Sequence, residues 1–255
     1  MCKFFFSLLL GLALPVSSFA QDPLKSVMWE FVRNKELKVD SVVFDDRIQV
    51  YAPKSVEDGM NVPVSVKVEG IKNIEEIVVL ADHNPIHRAL SFFPGKAEPY
   101  IAFRMKVQES TPIRAAVRTT DNTWHVGGVW LEAPGGGCTT PSASQASRAW
   151  EDHLNQLAGR VWQNSSGLNR LRMRIIHPMD TGLTGNIPAF YLENLFLKSM
   201  EGEILATLKT FEPISENPVF SFSIPHEVSP NGYKLIGSDN NGNELDASIV
   251  MANVQ

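Results

Sequence analysis

Apolar and polar residues alternate along much of the chain. In VPVSVKVE, Val62, Val64, Val66 and Val68 fall on one side of an extended backbone and Ser65, Lys67 and Glu69 on the other, the period of a strand with one face covered. YIAFRMKV repeats the pattern with Ile101, Phe103, Met105 and Val107, and IRAAVRT (Ile113, Ala115, Val117) and TWHVGGVWLE follow. The period returns after residue 167 in LRMRIIH (Leu171, Met173, Ile175), EILATLK (Ile204, Ala206, Leu208) and VFSFSI (Phe220, Phe222, Ile224). YKLIGSD and ELDASIVM flank NNGN, where Asn241 and Gly242 can take the positive φ angles of a tight hairpin. Short strands punctuated by Pro, Gly, Asn and Asp predict an antiparallel sandwich on each side of an interruption.

Two stretches depart from this period. Asp22 suits a helix cap with Pro23 at the first helical position, and Leu24, Val27, Met28 and Phe31 then share a stripe as far as about Asn34. The interruption, from Pro134 to about Gly167, opens with APGGGCTTPSASQASRA, which is uncharged until Arg148. So little apolar area does not offset the entropy of ordering the backbone, and the stretch reads as a linker. Trp150, Leu154, Leu157 and Val161 have the spacing of a short amphipathic helix after it.

Residues 1–20 pair Lys3 with an apolar run from Phe4 to Val16 and small residues at Ser18 and Ala20. This is the layout of a cleavable secretory signal, too short to span a bilayer. Its removal takes away Lys3 and no acid, so the net charge of −5 becomes more negative. An acidic balance argues against nucleic acid and anionic lipid as partners, and no later segment has the length of a membrane span. Cys2 leaves with the signal. Cys138 is then the single cysteine, unusual in an oxidising compartment where cysteines normally pair.

Cys138 follows Gly135, Gly136 and Gly137, with Pro134 and Pro141 on either side. Glycines leave a narrow channel unobstructed, and no Lys, Arg or His beside the thiol in sequence lowers its pKa. From the residues alone Cys138 is an incidental cysteine, one half of an intermolecular link, or a working thiol. His83 and His87 in ADHNPIH could join Cys138 in a soft metal site, but Asn84 and Pro85 between them favour a structural turn. His177 before Pro178 reads as a turn histidine rather than a catalytic base. Trp124, Trp130, Trp150 and Trp162 bracket the cysteine as packing or docking residues.

Two sets of motifs resemble the sulfur-oxidation carrier family SoxYZ. EDGMNVPVSV, DHNPIHRALSF, ESTPIRAAVRTTDNTWH and GGGC occur in the order of the Y subunit, over roughly residues 40–138. IIHPMDTG, IPAFYLENL and SENPVFSFSI occur in the order of the Z subunit, with Asp180 where HPMETG has glutamate. The resemblance implies an all-β chain of two immunoglobulin-like antiparallel sandwiches: signal 1–20, Y-like domain 21–138, linker 139–167 and Z-like domain 168–255. It implies that Cys138 is the attachment point for sulfur intermediates, with Gly135, Gly136 and Gly137 as its mobile arm and no catalytic residue, cofactor or metal of its own. Expected partners are periplasmic sulfur-oxidation enzymes or, as single-chain fusions of this type suggest, a quinoprotein dehydrogenase and cytochrome system. In the separate Y subunit the arm ends just after its cysteine, whereas here Thr139 continues the chain. The alternatives are a non-covalent accessory protein for that dehydrogenase, and a thiol enzyme or metal chaperone.

Overall fold

The computed structural model describes residues 21–165 and 167–250, so the predicted signal segment lies outside the described residues. The first half carries β1 (Val43–Phe44), β2 (Ile48–Tyr51), β3 (Val62–Val68), β4 (Ile74–Ala81), β5 (Arg88–Phe93), β6 (Tyr100–Met105), β7 (Thr111–Thr119) and β8 (Trp124–Leu131). The second carries β9 (Leu157–Gln163), β10 (Leu168–Ile175), β11 (Leu192–Ser199), β12 (Ile204–Thr210), β13 (Val219–Pro225), β14 (Gly232–Asp239) and β15 (Glu244–Val250). The all-β, two-layer architecture agrees with the alternation, and β3, for example, buries Val62, Val64, Val66 and Val68.

The halves are not beads on a string. One sheet runs β1-β8-β7-β4-β5-β12-β11-β14-β15 and the other β2-β3-β6-β13-β10-β9, so each crosses from one half to the other. The crossings are antiparallel pairs, Leu208 opposite Phe92 and Phe222 opposite Ile101. Between the sheets a single apolar core includes side chains of both halves, with the Phe92 and Phe222 rings 5.7 Å apart.

The N-terminal stretch differs from its predicted helix. Lys25 adopts φ +52, and Asp22 accepts the amides of Leu24 and Ser26 in a turn. α1 is confined to Trp29–Val32 and continues as a wide π turn over Arg33–Leu37. The predicted stripe is not the buried one: Val27 and Phe31 are exposed, while Trp29, Val32 and Leu37 pack against Val78, Leu80 and Trp124 on the outer face of the nine-stranded sheet. The fully buried Arg114 holds this segment down. It donates to Asp22 and Asp82 at 2.8–3.0 Å and lies 4.2 Å from the centre of the Trp29 ring, the pairing a buried guanidinium requires.

The helix predicted from Trp150 to Val161 is also corrected. A short α2 (Ser144–Ser147) and a single 3-10 turn at Glu151–His153 precede β9, which pairs with β10 at the edge of the six-stranded sheet. Leu157, Gly159 and Val161 alternate inward, and a Cβ on Gly159 would come within 2.3 Å of Ile249. In the NNGN hairpin Gly242 takes φ +83, while Asp239 accepts the amides of Asn241 and Asn243.

Candidate functional site

The glycine-rich stretch lies against the body of the protein. Gly136 has φ +97, and its carbonyl accepts the Thr139 and Thr140 amides, turning the chain back on itself. Gly137 is buried, with space only for glycine, since a Cβ there would sit 2.2 Å from the Val107 carbonyl oxygen and 2.4 Å from that of Gly59. Cys138 follows at 1 % exposure, its amide donating to Gln108 Oε1 at 3.2 Å. In place of a free, solvent-reachable arm of Gly135, Gly136 and Gly137, the structure shows a docked one. The glycines that make an arm flexible also let its backbone approach other backbone closely.

The second half closes over this segment. Thr181 Oγ1 donates to the Cys138 carbonyl at 2.7 Å, and Thr184 Oγ1 to that of Thr139 at 3.1 Å. Asp180 accepts from Ser142 Oγ at 3.0 Å and from Gln145 Nε2, tying down the chain after the cysteine. The HPMDTG stretch, 177–182, thus clasps the GGGC stretch, 135–138. Its shape comes from His177, whose Nδ1 accepts the Met179 amide at 3.1 Å while Met179 takes φ +52. Asp180 then exchanges two backbone hydrogen bonds with Phe190. His177 is therefore the turn histidine its position suggested.

Below the clasp lies a residue that sequence reasoning missed. Lys106 is 2 % exposed, and its ammonium donates to the Met179 carbonyl. Burial pushes its pKa down to about 8, against the attraction of Asp180 and Cys138. Burial also pushes the Cys138 thiol up to about 11, with Lys106 pulling the other way. The docked sulfur is therefore protonated at neutral pH, and a thiol is a poor nucleophile beside its thiolate.

His177 is fully buried, its Nε2 lies 3.6 Å from Asp239 Oδ2, and burial lowers its pKa against the pull of that carboxylate. A histidine held neutral in the fold and free to charge on unfolding contributes stability above its ordinary pKa of 6.5, lost as the pH falls below it. The urea midpoint of the protein should therefore fall between pH 7 and pH 5, and His177→Gln should lessen that fall. The slope that remains belongs partly to His87, which burial lowers in the same sense.

His83 and His87 occupy the β4–β5 turn. His83 Nδ1 lies 2.7 Å from the Ser110 carbonyl with its ring against Trp130, and the His87 ring packs on Phe31. Among the described residues no three His, Cys, Asp or Glu side chains gather as a metal site. Trp124 is buried beside Arg118, Trp150 packs on Phe190, and Trp130 and Trp162 are partly exposed.

Fold and site together define a two-sheet β-sandwich shared by both halves, in which one half carries a glycine-borne thiol and the other holds it. Residues 34–138 match the family model of the sulfur oxidation protein SoxY, and the match ends on Cys138. This segment is SoxY-like. Among solved structures, the sulfur carrier protein SoxY from Chlorobium limicola f thiosulfatophilum aligns at 18 % identity over 41 % of this chain and 90 % of its own, with a TM-score of 0.37. A superoxide reductase (neelaredoxin) from Ignicoccus hospitalis aligns at 21 % identity over 34 % of this chain and 80 % of its own, with a TM-score of 0.28. No curated protein matches the sequence.

Proposed function

We propose that the chain is a periplasmic carrier that holds sulfur intermediates covalently on Cys138 and presents them to sulfur-oxidation enzymes, without catalytic residues of its own. The observation that carries this reading is the convergence of GGGC and HPMDTG, with Thr181 hydrogen-bonded to the Cys138 carbonyl and the SoxY match ending on that cysteine. The second half takes the part of a Z-like partner within the same chain. The docked state is the resting one: loading begins when the segment after Gly135 lifts away from Gln108, Asp180 and Thr181, and the sulfur regains its ordinary acidity.

Transfer needs no external oxidant when the donor is a persulfide or polysulfide on an enzyme. The Cys138 thiolate attacks the terminal sulfur, a new S–S bond forms, the donor's S–S bond breaks, and the electron pair leaves on the donor thiolate. Protein purified without reductant after exposure to thiosulfate and a sulfur-oxidising extract should show, by intact mass, an adduct heavier by whole sulfur or sulfonate groups. The adduct should be lost on reduction and missing in Cys138→Ser.

Burial of the thiol favours one alternative, a non-covalent accessory protein of a quinoprotein dehydrogenase in which Cys138 is structural. A thiol that stays free under every substrate condition, with dehydrogenase binding intact in Cys138→Ser, would establish that reading instead.

A further inference from the structure

The outer face of the six-stranded sheet has a composition at odds with the chain as a whole. The protein carries a net charge of −5, yet none of β2, β3, β6, β13, β10 and β9 contains an aspartate or glutamate. Arg104 on β6, Arg160 on β9 and Arg170, Arg172 and Arg174 on β10 are all exposed on this face. Among the described residues, no carboxylate lies in salt-bridge range of any of the five. Arg170 instead stacks on Tyr100, 4.3 Å from its ring centre, and Arg160 lies over Trp162 at 5.2 Å.

The face also has relief. Register places Arg172 opposite Ser221, Ser221 opposite Ala102, and Ala102 opposite Ser65. Three small side chains in one row form the floor of a trough of about 400 Å³ that crosses the line where the halves join. Tyr51, Tyr100, Arg104 and Arg172 stand around it.

We infer that this face is a docking surface for an acidic patch on a partner protein, with a partner carboxylate entering the trough between Arg104 and Arg172. The five arginines lie on β6, β10 and β9, three strand spacings from end to end, and at about 4.8 Å per strand they spread over roughly 14 Å, too far for one small anion to engage them together. A guanidinium receives a carboxylate through two parallel hydrogen bonds, and Arg172 has as neighbours Arg160, opposite it in register and stacked on Trp162, and Arg170, two residues before it and stacked on Tyr100. A nucleic-acid duplex or an anionic bilayer extends far past this face and meets the negative charge of the rest of the molecule, whereas an acidic patch or a short acidic peptide meets this face alone. The inference is independent of what Cys138 carries.

A decaglutamate peptide is the probe, titrated into the full chain at low salt and followed by tryptophan emission. It should bind wild type with an affinity that falls as salt rises. The combined variant R104E/R172E/R174E should bind at least about tenfold more weakly, and the matching lysine variant should bind in between. K25E/K72E/K209E, with the same change in net charge at exposed sites off this face, should bind nearly as wild type does. Circular dichroism melts confirm that each variant is folded. The inference is overturned if wild type does not bind the peptide, or if both glutamate variants lose affinity alike. It is equally overturned if phosphatidylglycerol vesicles or duplex DNA bind this face more tightly than the peptide, or if thiosulfate displaces the peptide where chloride of equal ionic strength does not.

Discussion

At pH 8 the thiol of Cys138 in the folded protein should react with a disulfide reagent such as DTNB at least about a hundredfold more slowly than the same thiol in urea. The rise of its pKa from an ordinary 9.0 to about 11 alone reduces the thiolate fraction by about two orders of magnitude, and a sulfur at 1 % exposure is shielded further. Loosening the clasp should undo the protection without unfolding the sandwich. Asp180→Ala removes the acceptor of Ser142 and Gln145, and Gly137→Ala forces a methyl group against the Val107 and Gly59 carbonyls. Either variant should recover most of the lost reactivity while its melting profile stays cooperative. A wild-type thiol that titrates in the fold as fast as in urea would refute the docked state.

The second large effect concerns the halves. Expressed alone, residues 21–138 and 157–255 should each fail to give a soluble folded monomer, and the two together should reconstitute one particle, measured by size-exclusion chromatography and circular dichroism. Separation leaves β5, β6, β12 and β13 without their partners across the junction. It also uncovers Phe92, Ile101, Leu208 and Phe222, which are buried there. At about 1.5–3 kcal/mol for each large apolar side chain, these four account for roughly 6–12 kcal/mol, the size of a typical domain's entire stability. Unpaired strand edges add a route to aggregation. Two cleanly folded monomers would show that the shared sheets are dispensable.

Strands with one dry and one wet face were legible as alternation, and β3, β6 and β10 are of that kind. β4 was not, because Ile77 and Val79 enter the central core while Val78 and Leu80 meet Trp29 and Val32 on the opposite side. With both faces covered, the period of two disappears from the sequence. β9 was misread because Leu157 and Val161, four apart, fit a helix as well as a strand until Gly159 between them is seen packed on Ile249. Cys138 and HPMDTG each stood out as motifs, but their meeting depends on how the halves pair across β5–β12 and β6–β13, which no local pattern encodes. Lys106 gave no signal at all. It follows Tyr100, Ala102 and Arg104 on the polar side of the alternation, and only the covering loop of the second half, whose Pro213 carbonyl accepts its amide, makes it a buried residue.

Because both sheets run unbroken through the two halves, the covalent connection after Cys138 is not what keeps them together. Thr139, Thr140 and Pro141 are exposed, and a single cut there would leave the particle whole while giving the cysteine a new carboxyl terminus close behind it. One gene product could in that way become a two-chain assembly whose sulfur sits at a loose end of polypeptide.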